Sequence, residues 1–177
     1  AVSGIQKNAP QSLNYAKQAD ELSRKIHDRS AEAWSLLYMG HAYLLTADCA
    51  DARKAYQRSI VIRNELEQPA LAMEPLAGLV EAALYMNDLE TAARETEQIL
   101  TYLKEGGSLS GTEEPLRVYY ACYQFLSQQK DPRAQQILQT AKQMLEAQVS
   151  NFKDEQARKL FIENFPWRWA LHNAVHY

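Results

Sequence analysis

The residues with the most obvious chemical potential are few and widely separated along the chain. Ser127-Gln128-Gln129-Lys130 has the S-x-x-K spacing of a lysine-activated serine nucleophile, but its companion motifs are absent and it falls at a predicted helix end. The run 106–111 has the glycine and serine content of a phosphate-binding loop, yet no Lys-Ser or Lys-Thr follows it. We interpret the first as a helix end and the second as a flexible connection, and we predict no catalytic residue and a protein that is not an enzyme.

The histidines and cysteines also lack partners at useful spacing. His172 and His176 are four residues apart and could chelate a metal ion on a helix face, but no Glu completes an H-E-x-x-H motif. We therefore expect solvated histidines, no metal site and no cofactor, and we predict that His41 is hydrogen bonded. Cys49 and Cys122 have no CxxC partner, which argues against a disulfide framework or a zinc site and favours a reducing cytoplasm.

Composition narrows the partner classes. The 19 Lys and Arg and 22 Asp and Glu leave a net charge of −3 with the signs interspersed, so no basic stripe for nucleic acid is present. No apolar run approaches the roughly 20 residues that span a bilayer. The first ten residues contain neither an initiator Met nor the basic and apolar regions of a signal peptide. We expect a cytoplasmic location without nucleic-acid or membrane partners, and a piece excised from something longer.

Helical periodicity identifies the elements that hold these residues. The stretch 31–66 predicts two antiparallel helices. In these helices the small residues Gly40, Ala52 and Ser59 allow two backbones to approach, and the large Tyr56 fills the space beside them. The stretch therefore predicts a helical hairpin with polar outer faces.

The same pattern recurs at a fixed interval along the chain. The positions of Ala52, Tyr56 and Ser59 are matched one interval earlier by Ser12, Ala16 and Ala19, and one interval later by Ala92, Thr96 and Ile99. We predict Ser30, Asp88 and Asp154 as N-caps of helices. The predicted boundaries are a lead-in at 1–10, a half repeat at 11–27, repeats at 30–67, 70–105 and 112–152, and a capping segment at 153–177.

The capping segment is the most aromatic part of the chain. Phe161, Phe165, Trp167 and Trp169 are too apolar to be left in water. An end repeat needs its exposed face covered, so we expect this segment to fold back as a cap. A docking site for an absent domain, or for a second copy of the chain, is the alternative.

The repeated pattern resembles the tetratricopeptide repeat, whose consensus has a bulky residue, then Leu-Gly, then Ala-x-x-x-aromatic-x-x-Ala. The run TEEPLRVYYACYQFLSQQKDPRAQQILQTAKQML followed by FIENFPWRWAL also resembles the C-terminal repeat region of large bacterial regulators. In those proteins an ATPase module precedes the repeats, often beside a transcription-activator or nucleotide-cyclase domain. The resemblance implies an all-α fold, a tetratricopeptide-like α-solenoid of about seven to eight antiparallel helices with a C-terminal capping helix. It supplies no catalytic residue.

The resemblance also implies a binding surface. In this family the first helix of each pair lines a concave face, which we call the strip. Carried onto this chain, with a phase change of two residues in the third unit, the strip comprises Trp34, Leu37, His41, Leu44, Glu74, Ala77, Glu81, Leu84, Leu116, Tyr119, Tyr123 and Leu126. Burial of these side chains against each other is the alternative.

The strip predicts the kind of partner. It lacks the Lys, Arg and Asn set that clamps a C-terminal carboxylate, and a partner with an apolar anchor and a basic group near Glu74 and Glu81 suits it better. The leading hypothesis is a scaffold that holds a segment of another protein, or of its own parent signalling or transcription-regulating chain. The second is a module that senses a small inducer or signalling peptide inside the superhelix.

Overall fold

The computed structural model describes residues 8–174, and all the regular structure within that range is helical. The helices, numbered in chain order, are α1 (Ala9–Lys25), α2 (Arg29–Leu45), α3 (Cys49–Glu65), α4 (Pro69–Tyr85), α5 (Leu89–Lys104), α6 (Pro115–Gln128), α7 (Arg133–Val149), α8 (Glu155–Glu163) and α9 (Pro166–Asn173). The prediction of an all-α protein is therefore confirmed for the described residues. The helix count exceeds the expected seven to eight because the capping segment divides in two at Pro166.

The first five helices follow a strict register. Their starting points, from Ala9 to Leu89, are evenly spaced, and α1 to α4 each contain 17 residues. Each of the first four turns has one residue in the left-handed conformation, and these are His27, Ala47, Glu67 and Asn87. The amide of the next residue reaches back to a carbonyl of the preceding helix, as in Asp28 N to Ser23 O at 2.8 Å. This is a Schellman closure, so one turn geometry recurs at every junction.

The residue after the left-handed position is the N-cap of the next helix. Asp28, Asp48 and Asp88 each accept a hydrogen bond from a backbone amide in the first turn of the helix that follows. The predictions of Asp88 and Asp154 as N-caps, at the starts of α5 and α8, are therefore confirmed. The prediction of Ser30 as an N-cap was wrong, because α2 begins at Arg29 and Asp28 supplies the cap. Helix α1 also begins at Ala9, inside the predicted lead-in, of which 1–7 lies outside the described residues.

The helices pack on their neighbours in the chain, and the even-numbered helices also contact each other. Helix α4 lies against α2 on one side and against α6 on the other, while α1, α3, α5 and α7 pack on the helices that precede or follow them. The largest core cluster is centred on α4, where Ala77 and Val80 are fully buried. Helix α4 is thus the central element, which explains why its sequence is apolar over nearly every face.

One side chain is fully enclosed between α2 and α4. The ring of Tyr56, which comes from α3, passes between Gly40 and Gly78 and has no solvent exposure. A Cβ atom on either glycine would overlap the ring. The predicted close approach at Gly40 is therefore made by an aromatic ring inserted edgewise between two helices.

The register changes after α5. The connection to α6 is longer than the earlier turns, and α6 is one turn shorter than α4. The connection is held against α4, since the hydroxyl of Thr112 donates to the carbonyl of Ala70 at 3.2 Å. The next left-handed residue of a hairpin, Lys130, consequently comes later in the chain than the interval from Ala47 to Asn87 predicts.

The C-terminal segment, defined here as residues 152–174, is attached mainly through α9. Leu171 of α9 is fully buried in a cluster with Leu116 of α6 and with Leu138 and Leu145 of α7. Helix α8 has no buried residue and packs chiefly on α9. None of the helices described is both long enough and apolar enough to cross a lipid bilayer.

Insertion of Tyr56 between two glycines predicts a sign reversal on substitution. Alanine is favoured over glycine in a helix by about 1 kcal/mol, but Gly40→Ala should lower the free energy of unfolding by about 1–3 kcal/mol because the ring is confined on both sides. In a Tyr56→Val background, which removes the ring, the same change should be stabilising. Urea denaturation of the parent, the two single variants and the double variant measures both effects. A Gly40→Ala protein more stable than the parent would contradict the packing described.

Candidate functional site

A partly apolar hollow lies over α2, α4 and α6. It has a volume of about 770 Å³, and the link between α8 and α9 forms its fourth wall. It is lined by His41, Leu44, Leu45, Glu81, Leu84, Tyr85, Arg117, Tyr120, Gln124, Gln128, Asn164, Phe165, Pro166 and Trp167. We refer to it as the cavity. Its volume and its mixture of apolar walls with a few polar groups are typical of ligand-binding sites.

A buried ion pair forms the floor of the cavity. Arg117 of α6 donates from Nε and Nη2 to the two carboxylate oxygens of Glu81 on α4, each at 2.8 Å. Burial alone would lower the pKa of Arg117, but Glu81 and the oxygens of Tyr56 and Glu74 raise it above its ordinary value. The pairing is bidentate, which fixes the orientation of both side chains as well as their charge.

His41 joins this floor as a neutral acceptor. Its Nδ1 atom lies 2.6 Å from Arg117 Nη1 and 2.8 Å from the hydroxyl of Tyr56. A guanidinium can only donate, so Nδ1 must accept and the ring proton resides on Nε2, which faces Glu74 Oε1 at 3.4 Å. Burial, and then the charge of Arg117, lower the pKa of His41 well below its ordinary value.

Glu74 connects the floor to the loop before α6. Its Oε2 atom accepts hydrogen bonds from the backbone amides of Glu113 at 3.1 Å and Glu114 at 3.4 Å. Burial raises the pKa of Glu74, opposed by Arg117 and by these amides. The side chain is almost fully buried, so it holds the loop in place and offers little surface to a ligand.

The upper walls are apolar and aromatic. Leu84 and Tyr85 come from α4, Tyr120 from α6, Phe165 from the α8–α9 link and Trp167 from the first turn of α9. The ring of Trp167 lies over the Arg117 guanidinium, 5.1 Å from ring centroid to Cζ. The aromatic link therefore covers one side of the buried charge pair and completes the cavity.

Four of the strip residues line the cavity, and they come from the first two units. These are His41 and Leu44 of α2 with Glu81 and Leu84 of α4. The other four from these units do not. Leu37, Ala77 and Glu74 are buried in the packing between helices, and Trp34 stacks with Tyr38 and lies beside Arg63.

In the third unit the residues that line the cavity come one position later in the chain than the predicted strip residues. Leu116, Tyr119, Tyr123 and Leu126 pack into the core or beside it, whereas Arg117, Tyr120 and Gln124 face the cavity.

The reason is the longer connection before α6. The strip was carried to the third unit with Leu116 at the position equivalent to Glu74. Alignment on the left-handed residues that close the two hairpins, Asn87 and Lys130, instead makes Arg117 equivalent to Glu74. In the third unit the predicted strip therefore differs by one residue in phase from the residues that line the cavity.

Both predicted carboxylates are already engaged. Glu81 is paired with Arg117, and Glu74 is held by the loop amides and His41. The expected basic group of a partner would therefore have to displace Arg117 from Glu81 or reach Glu74, which is almost fully buried. The arrangement offers apolar contact and a rigid hydrogen-bonded floor.

The other singled-out motifs lie outside the cavity. Ser127 is near the end of α6 and Lys130 is in the following turn. His172 is an exposed residue of α9, and His176 lies outside the described residues. Burial raises the pKa of the Cys122 thiol to about 12, and burial with Asp48 raises that of Cys49. Among residues 8–174 no group of three or more His, Cys, Asp or Glu side chains could hold a metal ion.

Sequence reasoning missed the central residue of the site and its aromatic wall. Arg117 gives no sequence signal of its own, because a lone arginine on a helix is usually exposed. Phe165 and Trp167 were recognised as aromatic residues that need cover, but nothing in the sequence assigned them to the cavity. Protein-family models, curated proteins and solved structures were compared with this chain, and none of them matches it.

The lowered pKa of His41 predicts a pH dependence of stability. In the unfolded chain the ring binds a proton as pH falls through its ordinary value of 6.5, while in the folded protein it stays neutral. The unfolded state then binds more protons, so stability should fall as pH drops from about 7.5 to 5.5, by up to about 1.4 kcal/mol for each unit below 6.5.

A His41→Gln variant should show a shallower slope than the parent, measured by urea denaturation at fixed pH values. The exposed His172 provides the control, since His172→Gln should leave the slope as it is. Equal slopes in the parent and in His41→Gln would show that His41 does not stay neutral on folding.

Proposed function

We propose that this chain is a non-enzymatic, tetratricopeptide-like α-solenoid that binds an extended segment of another protein, or of its own parent chain, over the cavity. The single observation that carries the proposal is the position of the cavity. It opens on α2, α4 and α6 together, which are the first helices of successive predicted hairpins, so its surface repeats along the stack as an interaction surface would.

Equal helix lengths and a repeated turn geometry support the solenoid. Helices α1 to α4 each end in a Schellman closure, and α4 contacts both α2 and α6. Stacked units of this kind bury their faces against their neighbours instead of around one centre. The C-terminal segment would then close the last unit.

The chemistry of the cavity favours an uncharged anchor. The Arg117–Glu81 pair and the neutral His41 satisfy each other, so a charged group entering beside them would meet a like charge or break the pair. An aromatic or large aliphatic side chain would instead contact Leu84, Tyr120 and Trp167. Because the floor is already held in place, little conformational entropy is lost on binding.

The wider context is proposed from the resemblance alone. Residues 112–152 and the aromatic tail resemble the repeat regions of large bacterial regulators, and on that basis we infer a module of a cytoplasmic signalling or transcription-regulating protein. The output would lie in another domain of that protein. The module would contribute recognition.

A second candidate function is the sensing of a small inducer or signalling peptide. The cavity supports it, because about 770 Å³ lies within the range of roughly 300–1,000 Å³ typical of small-molecule sites, and the α8–α9 link encloses it on a fourth side. A neutral aromatic ligand would fit the same walls as the proposed anchor.

The small-ligand alternative predicts thermal stabilisation by neutral aromatic fragments. Ligands that bind only the folded state raise its melting temperature. Fragments that raise it should lose the effect in a Leu84→Trp variant, in which the larger ring occupies the cavity. Differential scanning fluorimetry with a library of neutral aromatic amides is the measurement. Hits that stabilise Leu84→Trp equally would bind elsewhere.

The protein-binding proposal predicts that peptides selected on the folded chain contain an aromatic or large aliphatic anchor. Panning a random peptide display library and measuring the selected peptides by calorimetry tests this. Tyr120→Ala should weaken them at least tenfold, because one well-packed aromatic contact contributes more than about 1.4 kcal/mol. Tyr15→Ser, at an exposed tyrosine of α1, should leave the affinity unchanged. Failure to enrich any peptide, or equal binding to both variants, would refute the proposal.

A further inference from the structure

The face of α6 beside the cavity already carries a peptide segment, and that segment belongs to this chain. Residues 165–168, Phe-Pro-Trp-Arg, lie along it. Trp167 covers Arg117 and donates from its indole Nε1 to Glu114 Oε2 at 3.2 Å. Arg168 forms an ion pair with the same carboxylate of Glu114.

Arg168 is held by aromatic rings as well as by charge. Its guanidinium carbon lies 4.0 Å from the centroid of Phe161 and 4.3 Å from that of Phe165, and Nη1 donates to the Phe161 carbonyl at 3.3 Å. The guanidinium is nearly buried, at 11% side-chain exposure. Both rings belong to the C-terminal segment itself, so the segment presents the Arg168 guanidinium to the one carboxylate of Glu114.

The segment is attached to the rest of the chain through α9, which contacts α6 and α7. Helix α8 has no buried residue, and the segment's one fully buried side chain is Leu171, one turn beyond Arg168. Residues 166–168 are the first turn of α9, so fraying of that turn would release the contacts with Glu114 and Arg117 while Leu171 stays in the core. A segment that can leave a surface without unfolding the core is suited to exchange with a partner.

We propose that Glu114, Arg117 and Tyr120 form a docking surface for an aromatic–Pro–aromatic–Arg segment of a partner, and that residues 165–168 are its resident occupant, which the partner displaces. This inference rests on the proposed function, because it assigns the chemistry of the segment bound at the cavity. A partner carrying the same four-residue pattern meets the same carboxylate and the same wall.

The chain's own sequence provides the probe. A labelled synthetic peptide of residues 160–169, LFIENFPWRW, is titrated against the parent chain and against a Trp167→Ala/Arg168→Ala variant, in which the resident segment has lost its contacts but the receiving surface and Leu171 are intact. Fluorescence anisotropy should show binding to the variant at least tenfold tighter than to the parent. Equal affinity for both, or no binding to the folded variant, would overturn the proposal.

Two controls identify the surface. The same peptide with the residues equivalent to Trp167 and Arg168 replaced by Ala should not bind. Adding Glu114→Ala to the Trp167→Ala/Arg168→Ala variant should reduce binding of the unchanged peptide at least tenfold. Circular dichroism confirms that each variant is folded, and Arg168→Gln alone replaces the double variant if that one unfolds. Library peptides that need Tyr120, together with failure of the 160–169 peptide, would refute this inference and leave the proposed function standing.

Discussion

The insertion of Tyr56 between α2 and α4 is the contact that connects the core to the candidate site. Gly40 and Gly78 leave the ring just enough room, so the backbones of both helices are set by the thickness of one aromatic ring. Beyond the ring, the Tyr56 hydroxyl is within hydrogen-bonding distance of His41 and of the guanidinium of Arg117. The same side chain therefore sets the helix spacing and supplies a polar atom to the floor of the cavity.

The floor shows how a charge can be held inside a helical stack. An arginine as buried as Arg117 requires a compensating charge and partners for its donors, because desolvation of an ion costs several kcal/mol. Glu81 supplies the charge, and His41 accepts a further donor only while it is neutral. All the partners come from different helices, so the network can form only when α2, α4 and α6 are in one relative position. It specifies the stacking more than it stabilises it.

The sequence was sufficient for elements whose signal is local or periodic. Gly40 and Tyr56 mark the close approach, and the constant interval between repeats places the helices up to α5. The sequence was insufficient to predict the phase of the helices after α5, where that interval is no longer kept. A glycine-rich run announces a loop, but a loop of variable length leaves the phase of the next helix open, and an error of one residue turns a helix face by about 100°. Leu116 and Tyr119 were therefore chosen where Arg117 and Tyr120 face the cavity.

Equivalent positions of successive hairpins supply the charged and polar residues of the cavity floor. When the hairpins are aligned on their left-handed turn residues, Arg117 corresponds to Glu74 and Trp34, and Gln124 corresponds to Glu81 and His41. These positions share a place in the helix and differ in chemistry. The differences are complementary across neighbouring helices, with Arg117 paired with Glu81 and His41 beside Glu74. The repeated helix length and turn geometry thus bring these positions together, and the departures from the repeat set the chemistry of the cavity.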